Sequence, residues 1–152
     1  MPFTLSYKAR IYMSNEARHC SDLTIGVYND VVEYVIHIVE REWGNIKASS
    51  KYQSGRTIYV EHLIHKTSKS PNPKYKSFDR IFSNLPSYFR RAAIQVAIGD
   101  YKAWRTAHDK WIEEGRVGKE PTLTYKRNHT PSFYKSNMFT YQVGSFAIIR
   151  LK

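Results

Sequence analysis

Between Leu85 and Gly115 the apolar residues recur at a spacing that only an α-helix can use. Phe89, Ala92, Ala93, Val96, Trp104, Ala107 and Trp111 fall on one stripe, because a helix turns ~100° per residue. Arg91, Gln95, Lys102, Arg105 and Asp109 gather on the opposite face. Leu85-Pro86 suits a helix start with Asn84 as cap, and Gly115 suits a stop. A helix this long is one wall of any fold the chain adopts, and its apolar stripe is most simply core. The basic stripe is either a solvated face or a track for a phosphate backbone.

A second helical pattern precedes it. Ser14 or Asn15 offers a cap, Glu16 sits where the helix dipole favours an acid, and Gly44 offers a stop just after Trp43. Leu23, Val27, Val31, Tyr34, Val35, Ile38 and Val39 recur at steps of three and four. The β-branched run from Val31 to Val39 would also suit a strand; length and periodicity favour a helix. Ser49, Ser50, Ser54 and Gly55 read as a loop, and Ile58 to Ile64 is compatible with helix or strand. Lys66 to Ser77, with two prolines, three serines and four lysines, reads as an exposed connection.

The two ends of the chain have a different period. Phe3, Leu5, Tyr7, Ala9, Ile11 and Met13 alternate with polar residues, the mark of a half-buried strand whose outer face carries Lys8 and Arg10. After Lys119, short aromatic and β-branched runs at Thr122–Arg127, Ser132–Lys135, Met138–Tyr141 and Phe146–Lys152 are separated by turn residues. The order strand, helices, strands implies an α+β fold. In it, residues 1–14 and 119–152 form a small β-barrel-like sheet and residues 15–118 form an inserted antiparallel helical bundle. The stop at Lys152, inside what reads as a strand, suggests either a longer reading frame or an edge strand at a true terminus.

Charge narrows the function. Lys plus Arg number 24 against 13 Asp plus Glu, a formal net charge of +11, and 14% of residues are aromatic, 12 of them Tyr. A field of that sign collects polyanions, and cations mixed with rings suit phosphate contact plus base stacking. Nucleic acid is the expected partner, with an acidic membrane surface as the alternative. The longest apolar run, around Val31 to Val39, is broken by Glu33 and His37 and falls short of the ~20 residues of a membrane helix. The single cysteine, Cys20, cannot form an internal disulfide or a paired-cysteine zinc site, and it reads as a small buried or half-buried residue, rather than a nucleophile, in a cytoplasmic protein.

Recognisable catalytic chemistry is missing. The carboxylates are scattered through the helical segments, several beside Lys or Arg, and there is no glycine-rich phosphate loop. His62 and His65 stand at helical neighbours beside Glu61 and could share a metal, but no further ligand completes a set. No catalytic residue, metal or cofactor is therefore expected. The residues expected to meet nucleic acid are Lys8, Arg10, Arg91, Lys102, Arg105, Lys126, Arg127 and Lys135 at phosphates. Tyr125, Phe133 and Tyr134 are expected either at bases or in the core.

Three blocks carry a family resemblance. They are the opening Leu5–Ala17, the pair Tyr28-Asn29, and Leu85–Ile94 continuing through Ala97-Ile98-Gly99 to Trp111, with Pro121 and Pro131–Met138 after it. In these the chain resembles the N-terminal part of the TnpB (OrfB) transposases, RNA-guided DNA nucleases related to the type V CRISPR effectors. The resemblance implies a wedge barrel built from the end strands and a helical recognition lobe, gripping guide RNA and target DNA. The family's RuvC-like nuclease centre lies beyond the wedge, so the resemblance implies binding here and cleavage only with a C-terminal nuclease half. The rival reading is a non-enzymatic basic interaction protein, or a degenerate transposase remnant that needs a partner chain.

Overall fold

In a computed structural model the structure describes residues 12–125 and 127–132, and the backbone of 139–141 and 147–149. Four helices carry the fold: α1 (Asn15–Ser49), α2 (Gln53–Ile64), α3 (Ser77–Ile81) and α4 (Ser87–Glu113). Two three-residue strands, β1 (Phe139–Tyr141) and β2 (Ala147–Ile149), pair as an antiparallel hairpin, Phe139 opposite Ile149.

α1 begins as its residues dictate. The Ser14 hydroxyl accepts a hydrogen bond from the Ala17 N–H at 3.1 Å, closing the first turn. Its middle buries one broad face, about half its circumference at ~100° per residue: Val31, Val32, Val35, Ile36, Ile38 and Val39 are each at most 3% exposed, while Asp30, His37, Glu40 and Arg41 on the other side are exposed. A face that wide needs more than one neighbour. α4 makes the main interface through Phe89, Ala93, Ile94, Ala97, Ile98 and Tyr101; α2 adds Val60 and Ile64, and Phe78 of α3 fills the remaining gap. Gly44 does not stop α1. It is exposed, while Ile46, two residues further, is fully buried and draws the helix on to Ser49. Leu23 and Val27, expected in the core, are about half exposed because the core begins further along, near Tyr28. Cys20 is exposed for the same reason.

α4 ends as the glycine signal requires. Gly115 adopts φ +77°, its N–H bonds the Ile112 carbonyl, and the Arg116 N–H bonds the Trp111 carbonyl. Those paired bonds close the last turn. At the other end Asn84, expected as the cap, instead takes φ +64° in the turn, and Pro86 holds the cap position. The buried stripe is also rotated from the expected one: Ile94, Ala97, Ile98 and Tyr101 are inside, and Ala107 is exposed.

The α+β expectation is overturned. The described residues are dominated by helix, and their only sheet is the two-stranded hairpin, which is no barrel. Of the expected first strand, residues 1–11 lie outside the described residues, and Tyr12 to Ser14 are not strand. Residues 133–138, 142–146 and 150–152 lie outside as well. Thr122 to Tyr125 joins no ladder. The reason is visible in its partners. Residues 117–125 and 127–132 form a strap laid over the helices. The indole N–H of Trp111 donates to the Gly118 carbonyl (3.4 Å) and that of Trp104 to the Pro121 carbonyl (3.0 Å). Leu123 packs on the core, and the Asn29 side chain exchanges two hydrogen bonds with the His129 backbone (2.9 and 3.1 Å). Aromatic and β-branched residues that read as strand are satisfied by helix side chains, and Pro121 and Pro131 have no N–H for a ladder.

The α1–α2 corner depends on a glycine. Ser54 and Gly55 read as loop, yet they belong to the first turn of α2. A Cβ on Gly55 would stand 2.3 Å from Ser50 Oγ and 2.5 Å from Ser50 Cβ, and turning the Ser50 side chain cannot relieve the second contact. Gly55→Ala therefore lowers stability by about 1–3 kcal/mol. Adding Ser50→Gly restores most of that loss, as read by urea denaturation of both variants.

Candidate nucleic-acid interface

The cations expected at phosphates part company in the structure. Arg91 donates from Nε to Glu61 Oε2 at 3.0 Å. Glu61 is 3% exposed and its other oxygen accepts from Arg90 Nε (3.1 Å) and Nη2 (2.9 Å). The arrangement joins α2 to α4 through a buried carboxylate held by two guanidinium groups. Arg127 is similarly occupied: it pairs with Asp30 at 2.6 Å and Glu33 at 3.1 Å on α1. The hydrogen bond from Arg127 to Asp30 leads in raising the guanidinium pKa above its ordinary value. The Tyr125 ring rests on His37, centroids 4.7 Å apart, with its hydroxyl 3.2 Å from His37 Nδ1. Burial, then the nearby Glu40 and Glu33, push the Tyr125 phenol above its ordinary range. Arg127 and Tyr125 thus fasten the strap. Lys8, Arg10, Lys126, Phe133, Tyr134 and Lys135 lie outside the described residues.

Lys102 and Arg105 do come together, in a place the sequence did not announce. They border a groove of about 640 Å³ between α1, α4 and the first turn of α2. Lys47 from α1 and Arg56 from α2 complete its basic rim. Trp43 and Tyr101 supply aromatic walls, in mutual contact at 5.0 Å between ring centroids and 58° between planes. Two carboxylates also line it: Asp109, paired with Arg105 at 3.0 Å, and Glu40. Arg56 is steadied by a hydrogen bond from Nε to the Ser50 carbonyl at 2.9 Å. Lys47 and Lys102 are exposed and have no carboxylate within ion-pair distance among the described residues.

Trp43, Lys47 and Arg56 were missed because Gly44 was read as the end of α1 and Gly55 as loop. The signal was present: Trp43 and Lys47 are one helical turn apart, as are Tyr101 and Arg105.

The remaining polar clusters hold the fold together. Glu42, with its side chain 5% exposed, accepts hydrogen bonds from Lys74 Nζ, Tyr75 Oη (2.7 Å) and Asn45 Nδ2 (2.9 Å). The bond from Lys74, then those from Tyr75 and Asn45, lower its pKa to about 2. Lys74, in the connection read as exposed and free, is therefore engaged. His65 Nδ1 meets Asp79 at 2.6 Å. Burial pushes the Asp79 carboxyl up, but the hydrogen bonds from His65 and the Lys66 N–H outweigh it and leave the pKa lowered. The His62, His65, Glu61 grouping does not form a metal site: Glu61 belongs to the arginines and His65 to Asp79. Among the described residues no three His, Cys, Asp or Glu side chains gather to hold a metal.

A sequence model described as the Aq_aa04 family matches residues 5–152. The chain belongs to the Aq_aa04 family. No curated protein and no solved structure matches it. The match spans the helices, the strap and the hairpin together, so the groove lies wholly within the part that the family model covers.

Two clusters generate predictions about this family member. Replacing Glu61 with Met leaves the Arg90 guanidinium buried without a counter-charge and costs about 3–5 kcal/mol in urea denaturation. Pairing it with Arg90→Met recovers a large part. Glu42 gives a pH dependence. Its folded pKa, about 2, lies below the ordinary 4.5, so its contribution is complete above pH 4.5 and is lost as the pH falls toward 2. Glu42→Gln lowers the melting temperature at pH 7, and the gap from the parent chain narrows steadily between pH 4.5 and pH 2.

Proposed function

We propose that the chain binds nucleic acid through the groove between α1, α4 and the start of α2. The supporting observation is the pairing of exposed cations, Lys47 and Lys102, with an aromatic wall of Trp43 and Tyr101 in one concavity. Among the described residues six carboxylates pair with Lys or Arg, namely Asp30, Glu33, Glu42, Glu61, Asp109 and Glu114. The formal net charge of +11 supplies the long-range field that brings a polyanion to the groove. Among the described residues no helix is long and apolar enough to cross a membrane. We place the chain in the cytoplasm, with RNA and DNA as the ligand class.

The resemblance to the TnpB transposases contributes to this proposal through the block Leu85 to Trp111, which is α4. The wedge barrel that the resemblance implied is not part of it. On this reading the helical lobe holds RNA, and cleavage of DNA belongs to a nuclease half outside the chain. Co-expression with the DNA flanking its gene, a high-salt wash and sequencing of the bound RNA test that link. One discrete flanking RNA supports it, and bulk RNA alone removes it.

The groove itself is tested by salt titration. Binding of a fluorescent oligonucleotide should fall steeply with salt. Lys102→Ala and Lys47→Ala should each reduce the slope of log affinity against log salt by about 0.7–0.9. Arg127→Ala, which loses only a strap contact, should leave the slope unchanged. Affinity that is flat in salt removes the proposal.

A further inference from the structure

Resting on the nucleic-acid reading, we infer that the groove takes single-stranded nucleic acid, one base at a time against Trp43, rather than a duplex. The argument is one of shape and surface type. The cations do not stand on a convex face, where a duplex would lie; they ring a concavity of about 640 Å³. A duplex keeps its bases stacked inside and offers a groove like this one only phosphates. An unstacked nucleotide offers a phosphate to the rim and a flat π-face to the wall, and aromatic rings beside a basic track bind bases in that way with little regard to sequence.

The walls are built for the purpose and held firm. Tyr101 is 4% exposed and is braced on its far side by Trp104, centroids 5.3 Å apart. Trp43 is half-buried and packed against the core, so it meets a ligand without first being ordered. Glu40, and Asp109 beside Arg105, line the same space. They lower the net positive charge of the groove, which makes phosphate attraction alone a weaker hold and gives the ring contact more of the work.

The experiment uses the unaltered full chain and three oligonucleotides of about a dozen nucleotides: a mixed-sequence single strand, its blunt duplex, and an abasic strand with the same number of phosphates. Affinity is read by fluorescence anisotropy at two salt concentrations. The single strand should bind about tenfold or more tightly than either of the others. Trp43→Leu should erase that preference, Trp43→Phe should keep most of it, and circular dichroism checks that both fold. Equal binding of all three oligonucleotides, with the salt response intact, overturns the single-strand inference and leaves the nucleic-acid reading standing. Absence of binding to any of them overturns both. The three-way comparison needs no variant, so a Trp43→Leu chain that fails to fold does not rescue the inference.

Discussion

The rest of the structure follows from the need to cover α1. From Val31 to Val39, and again at Ile46, it buries one broad face, about half its circumference at ~100° per residue. One partner helix can cover one stripe of such a face. α4 covers the largest stripe, and α2 and α3 cover a second. What remains is closed by the strap of residues 117–125 and 127–132, which sets Leu123 on the core and Pro131 in a buried position. A buried face wider than one partner helix can cover thus decides how many neighbours the fold has, and the acidic residues at its edge, Asp30 and Glu33, recruit the strap as one of them. The strap is consequently not available to build a sheet.

Polar contacts decide where each cover sits. The strap is fastened by charge and by backbone bonds: Arg127 to Asp30 and Glu33, the His129 backbone to Asn29, and the His129 ring 2.9 Å from the Asp100 carboxylate. α2 is fixed to α4 by Glu61 between Arg90 and Arg91, and the connection before α3 is fixed to α1 by Glu42. A buried ion pair adds little net stability over a well-packed apolar pair, and breaking one is expensive. Its use here is therefore register: each pair admits one alignment of its two elements.

What was legible in the sequence was local. The cap at Ser14, the Schellman turn at Gly115 and the two long helices follow from nearest-neighbour chemistry and could be read from residues a few positions apart. What was illegible depended on distant partners. Gly44 reads as a stop until Ile46 is seen to be buried against elements tens of residues away. Thr122 to Tyr125 reads as a strand because extended backbone with alternating side chains is the pattern of both a strand and a strap, and only the partner, a ladder or a helix face, separates them. Arg91 and Arg127 read as free cations because Glu61, Asp30 and Glu33 lie 30 and about 95 positions away in the chain. The candidate groove was half legible, through Lys102 and Arg105. Its other half, Trp43, Lys47 and Arg56, lay behind the misplaced end of α1.

The groove's position is itself a consequence of where the core ends. Ile46 is the last buried residue of α1 and Tyr101 the last of α4. The next residue on each helix, Lys47 and Lys102, is exposed. Trp43, half-buried at that boundary, packs on the core and lines the groove, and the buried Tyr101 ring packs against it. The aromatic wall and the basic rim thus arise from two helices passing out of one core at the same level. A site made in this way is as rigid as the core beneath it, which suits a ligand recognised by a flat ring and a fixed charge rather than by a closing loop.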